Sequence, residues 1–153
     1  VETTWDVRQA GTAALAAAAP LLMRFFAEEG FTTPPELIRA RLAELLASTD
    51  AVVFLAWEGA AVGVATVSTS FGIEFGRSAE LDDLYVLPEA RGRGVATALI
   101  DAARAWCQAH GCTVLLVTVT PEGQQAHDLA RFYQRHGFRD DGRKLLSADI
   151  TAF

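Results

Sequence analysis

The chain is poor in residues that staple, ligate or anchor. It has two cysteines, one methionine and three histidines in 153 residues. Cys107 and Cys112 stand in a C-x4-C spacing with no second ligand pair, so no zinc framework is available and no metal is expected. One falls on a helical pattern and the other just past it, so both read as small, partly buried thiols and not as a disulfide framework. No apolar run reaches the ~18 to 20 residues of a membrane span. The nearest, residues 13–26, is interrupted by Pro20 and Arg24. The first ten residues carry two acids and no basic leader, unlike a secretory signal. Reduced thiols and no leader together set the expectation of a cytoplasmic protein without a membrane partner. Positive charge is scarce too: 13 Lys and Arg stand against 19 Asp and Glu, for a net charge of −6. That argues against nucleic acid as a partner and leaves room for a cationic small molecule.

What the chain does have is enough apolar material for a core, at 51% hydrophobic and 21% charged. No repeat or linker divides it, so residues 1–153 read as one domain. Residues 4–9 alternate as a short strand. Residues 11–29 have helical spacing, with Thr12 as N-cap, Gly30 as stop and Pro20 as a kink or division. Thr33-Pro34-Pro35-Glu36 opens a second helix, with Leu37, Ile38, Leu42, Leu45 and Leu46 along one side. Residues 51–57 and 61–68 read as strands joined at Glu58-Gly59-Ala60. Residues 71–77 form a connection, and residues 79–86 a further strand stopped by Pro88. A helix over 94–110 buries Val95, Leu99, Ala103, Trp106 and Cys107 and ends at Gly111. "CTVLLVTVT" reads as a strand covered on both faces. Residues 124–136 read as one helix closed by Gly137, and residues 144–150 as a last strand. The order β-α-α-β-β-β-α-β-α-β gives an α/β (α+β) fold around a mixed sheet.

The segment "LPEARGRGVATALI" places two glycines and two arginines directly before a helix. The first turn of a helix has amides without internal partners, and the dipole adds positive potential there. Glycine lets successive amides form a concave nest and removes the side chain that would hold an anion off the backbone. Arg91 and Arg93 add charge at the rim. Residues 91–97, that is Arg91, Gly92, Arg93, Gly94, Val95, Ala96 and Thr97, therefore read as a pyrophosphate cradle. No Lys-Ser/Thr follows, which excludes a P-loop. Gly92-x-Gly94 is followed by Thr97, which excludes the dinucleotide fingerprint.

"LDDLYVLPEARGRGVATALI" resembles the acetyl-CoA-binding segment of the GNAT N-acetyltransferase superfamily. The matching residues are Arg91-x-x-Gly94-x-Ala96, after Leu84-Tyr85-Val86-Leu87-Pro88. "RFYQRHGF" resembles that superfamily's later aromatic-Tyr and Gly-Phe signature. The resemblance covers most of the chain from Ala51 on and implies a twisted, mostly antiparallel mixed sheet of six to seven strands with about four helices. It implies acetyl-CoA as cosubstrate, its pyrophosphate on the amides of residues 91–97 and its pantetheine arm along Leu84, Tyr85 and Val86, like an added strand. It gives Tyr133 the role of protonating the departing thiolate. An asparagine that many members carry seven residues before this tyrosine is Ala126 here, and Gln124, Gln125 or His127 could supply the polar contact.

An acceptor ammonium must lose a proton before it can attack a thioester. "AELDDLYV" supplies acids for that on the strand beside the acetyl group. Strict alternation puts Glu80, Asp82 and Leu84 on one face, and Leu81, Asp83 and Tyr85 on the other. Members that acetylate aminoglycosides have an acid at the position of Asp82 or of Asp83, and this chain has both. His110 and His136 sit at helix C-termini and are poor bases by position. Glu28, Glu29, Glu74 and Glu80 are candidates to line an acidic cleft for a polycation. The reading is acetyl transfer to a primary amine of a cationic small molecule, an aminoglycoside by resemblance and so a resistance enzyme. The alternatives are another amine (a polyamine, an amino acid or a protein N-terminus) and a non-catalytic acyl-CoA-binding module. The segment "LLSADITAF" could serve a homodimer.

Overall fold

The computed structural model describes residues 4–152. It divides into two compact units, one running to Val117 and one beginning at Thr118.

In the first unit, strand β1 (Asp6–Gln9) leads through a 3-10 turn (Thr12–Ala14) into helix α1 (Leu15–Glu29) and helix α2 (Pro35–Ala47). A meander of β2 (Ala51–Glu58), β3 (Ala60–Gly72) and β4 (Gly76–Val86) follows. A 3-10 turn (Pro88–Ala90), helix α3 (Val95–Ala109) and strand β5 (Val114–Leu116) complete the unit. The sheet order is β1-β2-β3-β4-β5, antiparallel throughout except for the parallel β4–β5 pair. The expected mixed, mostly antiparallel sheet is present, with five strands among the described residues instead of six or seven.

Helices cover both faces of the sheet. On one, Ala18, Ala19, Leu21 and Leu22 of α1 and Ile38 and Leu42 of α2 pack with Val53, Leu55, Val64 and Tyr85. On the other, α3 buries Val95, Leu99, Ile100, Ala103, Trp106 and Cys107. Covering on both sides explains why β2 is one continuous apolar run and not an alternating one. Pro20 leaves α1 undivided. It sits on the exposed side, as does Ala16, whose carbonyl loses its intrahelical partner there and faces water instead. Thr12 begins the 3-10 turn, and that turn's N-cap is Gly11.

The closest approach of α3 to the sheet is at Gly63. A Cβ there would stand 2.9 Å from Val95 Cγ1 and 3.1 Å from Leu99 Cδ1. Gly63→Ala is expected to destabilise the protein by about 1–3 kcal/mol, as overpacking does. Urea denaturation checks this, and adding Val95→Ala should recover part of the loss.

The second unit has helices α4 (Pro121–His127) and α5 (Leu129–Arg135) and a terminal 3-10 turn (Ile150–Ala152). Five helices are therefore present among the described residues, where about four are expected. The single helix expected over 124–136 is broken at Asp128, which takes a left-handed φ of 49°. Gln124 braces the break: its Nε2 donates to Asp128 Oδ1 at 2.9 Å, and its Oε1 accepts from the Ala130 amide at 2.8 Å. The last strand expected over 144–150 does not form among the described residues. Leu145 and Leu146 are 77% and 89% exposed and pair with no strand there.

Candidate active site

Arg91 opens the glycine segment in an extended conformation, then Gly92 and Gly94 take left-handed φ values of 74° and 89°. The α3 ladder starts with the Ala98 amide donating to the Gly94 carbonyl at 3.1 Å, so the amides of Val95 and Ala96 lie ahead of it. Nothing lies within 4 Å of where a Gly92 Cβ would stand. Such a concave run of amides at the positive end of a fifteen-residue helix can hold a diphosphate. Val95 itself is buried against the sheet, and Thr97 lies on the exposed side of the same turn.

Both rim arginines are already paired. Arg93 forms a two-pronged ion pair with Glu58 and lies 5.0 Å over the Trp5 ring. Trp5 Nε1 donates to the Arg93 carbonyl at 2.9 Å, which ties the loop to the chain's first strand region. Arg91 Nε donates to the Val86 carbonyl at 2.8 Å, and its Nη2 donates to Glu28 Oε2 at 3.0 Å. Contact with an anion therefore falls chiefly to the amides.

Strand β4 pairs with β5 only over Ser78–Glu80. Past Glu80, residues 81–86 have no ladder partner on that side among the described residues, so an extended ligand arm has main chain to pair with. Leu84, Tyr85 and Val86 lie in this stretch. Leu84 sits opposite Ala65, toward α3, while Tyr85 sits opposite Val64, toward α1 and α2.

The acids depart from simple alternation. Thr66 faces Asp83 and Val67 faces Leu81, which leaves Asp82 as an extra, bulged residue. The Thr66 hydroxyl donates to Asp83 Oδ2 at 2.5 Å and the Ser68 hydroxyl to Asp82 Oδ2 at 2.6 Å. Thr66 and Ser68 are two apart on one strand and share a face, and Glu80 sits opposite Ser68. Glu80, Asp82 and Asp83 therefore share the α1/α2 face, and Leu84 is on the other. The expectation that split Asp82 from Asp83 is corrected by the bulge, which shifts the two-residue period by one.

This crowding has an electrostatic result. Burial, with help from Glu80 and Asp83 and against the Ser68 hydrogen bond, pushes Asp82 up to about 6. Asp82 is nonetheless open to solvent on one side. Asp83 is also raised by burial, opposed by the Thr66 hydroxyl. Neither hydroxyl on β3 is found by looking for acids and bases, although the alternating Thr66, Ser68 and Ser70 in "VATVSTS" is a legible sign of a polar face.

Glu28 and Glu29 end α1, and Glu28 accepts from the Tyr85 hydroxyl at 2.7 Å. Glu74 lies in the β3–β4 turn, six residues before Glu80 and about 20 Å from it along an extended strand. It is not brought to the β4 acids. In the second unit, Tyr133 packs edge-on between Phe132 and Phe138, at 5.1 and 5.3 Å. Burial pushes its hydroxyl up to about 12. The His110 and His136 rings each bond the carbonyl four residues back at 2.8 Å, which occupies one nitrogen of each. Among the described residues no cluster of three or more His, Cys, Asp or Glu is placed to hold a metal, and no helix is long and apolar enough to cross a membrane.

A strand with an open edge, a glycine loop at a helix N-terminus and acids beside both define an acyl-transfer enzyme fold. The family model described as "Acetyltransferase (GNAT) family" matches residues 15–138, and the chain belongs to that family. It is similar to an uncharacterized N-acetyltransferase, YhfO, of Bacillus subtilis, at 28% identity over 89% of this chain and 91% of that one. It is 36% identical over 56% of its length to an aminoglycoside N(6')-acetyltransferase type 1 of Stenotrophomonas maltophilia, covering 60% of that protein. The solved structure of the aminoglycoside N-acetyltransferase AAC(6')-Iy in complex with CoA superposes with a TM-score of 0.82 at 25% identity, over 98% of this chain and 99% of that one. The family's acetyl donor is acetyl-CoA. The residues present fit it: left-handed glycines with no Cβ over the amides, and a free strand edge leading to them.

Proposed function

We propose that this protein moves an acetyl group from acetyl-CoA to a primary amine of a polycationic small molecule, an aminoglycoside above all. The observation that carries the reading is the β4 bulge, which gathers Glu80, Asp82 and Asp83 on one face next to the open strand edge. A cluster of carboxylates favours a cation, and burial pushes one of them, Asp82, up to about 6. The aminoglycoside N(6')-acetyltransferase similarities support the same acceptor class.

In this reading the amides of residues 91–97 hold the diphosphate, and Leu84, Tyr85 and Val86 pair with the pantetheine arm. The donor supplies an activated thioester carbonyl. Asp82 takes a proton from the acceptor ammonium, directly or through water, and the freed nitrogen attacks that carbonyl. The new C–N bond replaces the C–S bond; Tyr133 gives its phenolic proton to the departing sulfur, and the second proton, shed by the nitrogen as it becomes an amide, returns to the phenolate through water. Burial first, and then Glu80 and Asp83, hold Asp82's affinity for a proton high. Glu29 adds negative charge at the end of α1.

The test is thiol release from acetyl-CoA against a panel of aminoglycosides, spermidine, amino acids and short peptides. Turnover concentrated on the aminoglycosides supports the reading. Turnover confined to another amine moves the acceptor class, and none at all, with the donor still bound, leaves a binding module. On the donor side, Gly94→Ala must place a Cβ at a φ of 89°, which costs roughly 1–2 kcal/mol. It is expected to raise the acetyl-CoA KM about tenfold, a factor that corresponds to ~1.4 kcal/mol.

A further inference from the structure

Both oxygens of Glu28 are committed. Its Oε1 accepts from the Tyr85 hydroxyl and its Oε2 from Arg91 Nη2, at 2.7 and 3.0 Å. Arg91 in turn places its guanidinium 5.5 Å over the Tyr85 ring and donates Nε to the carbonyl of Val86, the last residue of β4. Tyr85 is only 4% exposed and stacks on Phe25 of α1, with ring centroids 5.5 Å apart. Three elements therefore meet at one carboxylate: the end of α1, the end of β4 and the first residue of the glycine loop. An acceptor ammonium at Glu28 would have to share its carboxylate with the charge-assisted bond from Arg91.

We propose that Glu28 is a positioning residue of the donor site, holding Arg91 folded over Tyr85 so that the loop leaves β4 in the orientation that aims its amides at the diphosphate. It is not an amine ligand. Arg91 precedes Gly92, where the chain turns left-handed, so freedom in the Arg91 side chain becomes freedom in the first peptide of the nest. Small misplacements of pre-set groups of this kind have large kinetic costs. The inference rests on the reading of residues 91–97 as the diphosphate cradle.

The experiment compares two donors, acetyl-CoA and S-acetylpantetheine, which has the same thioester and arm but no diphosphate. Wild type, Glu28→Gln and Arg91→Gln, and the double variant, are assayed with one amine acceptor. Wild type is expected to have a much lower KM for acetyl-CoA than for S-acetylpantetheine. Glu28→Gln should raise the acetyl-CoA KM about 5- to 20-fold and leave both the S-acetylpantetheine KM and the amine KM within about twofold. The double variant should be no worse than Arg91→Gln alone, because both act through one contact. If Glu28→Gln raises the amine KM and spares the donor, Glu28 is an acceptor ligand and the proposal is wrong. Equal losses on both donors would also overturn it, since a general loosening does not sense the diphosphate. A wild type that fails to distinguish the two donors takes down the cradle reading itself, and this inference with it. Should Glu28→Gln fold poorly, Tyr85→Phe removes the other bond to Glu28 and is expected to shift the same donor ratio in the same direction.

Discussion

Asp82→Asn is expected to lower kcat/KM for the amine by about 10²- to 10⁴-fold, the range of a lost general base, while making the protein harder to unfold at pH 8. The two effects share a cause. The folded environment raises Asp82 from its ordinary value of 3.8 to about 6. Between those values the native state binds more protons than the unfolded state, so stability falls as pH rises through the window. Above pH 6 the ionised Asp82 is a standing cost, and asparagine removes it while its amide oxygen can still accept from Ser68. Two units correspond to about 3 kcal/mol at most, and the open side of Asp82 brings the expected gain down to about 1 kcal/mol. Urea midpoints at pH 8 should show the gain, and it should shrink toward zero as pH falls to about 4. Asp83 is less open and is held by fully buried Thr66. It suits the part of a neighbour that raises Asp82 better than the part of a group that meets the amine.

Tyr133→Phe is expected to cut kcat about 10²-fold or more, with the acetyl-CoA KM within about twofold and the melting temperature unchanged or slightly raised. The Tyr133 hydroxyl makes no hydrogen bond among the described residues, and its ring is held by Phe132 and Phe138, so deleting the hydroxyl leaves no orphaned partner. Burial favours the neutral phenol, which therefore stays protonated across pH 6 to 9 and gives no descending limb there. A phenol at about 12 is a weak acid toward a thiolate in water, whose thiol stands near ~8.5. Burial works against that gap from the other side: stripping water from a sulfur favours its protonated form, as burial, with Cys112 beside it, lifts the Cys107 thiol to about 11. Stopped-flow thiol release at saturating donor measures the expected loss in kcat.

Much of the frame was legible because local chemistry fixed it. Gly30, Gly59 and Gly111 were read as stops or turns, and each has a φ between 72° and 76°. The stripe of α3 was read from its helical spacing, and the same side chains are buried. The glycine loop stands out by its two glycines and two arginines directly before a helical stretch, and the family resemblance gives it a cofactor role. What could not be read depends on partners. A bulge is a mismatch between two strands, so no single-strand pattern shows that Asp82 and Asp83 share a face. The 144–150 segment alternates well enough for a strand, but a strand needs a neighbour to bond, and Leu145 and Leu146 have none among the described residues. Asp128 breaks the expected helix because Gln124 caps both sides of the break, a contact no periodicity encodes. Nor does any pattern show that Tyr85 and Arg91, 57 and 63 residues away, come to Glu28.

Burial at the β4 bulge, with Glu80 and Asp83 beside it, pushes Asp82 up to about 6, which is what the proposed base needs. The measurement that tests it most directly is a carbon-13 NMR titration of the aspartate side-chain carboxyls, with Asp82 assigned by its disappearance in Asp82→Asn. A midpoint near 6 for Asp82, moving down when Asp83 or Glu80 is neutralised, is the expected result. A midpoint near 4 that ignores its neighbours would mean the bulge gathers no working cluster, and the catalytic reading of these acids would be wrong.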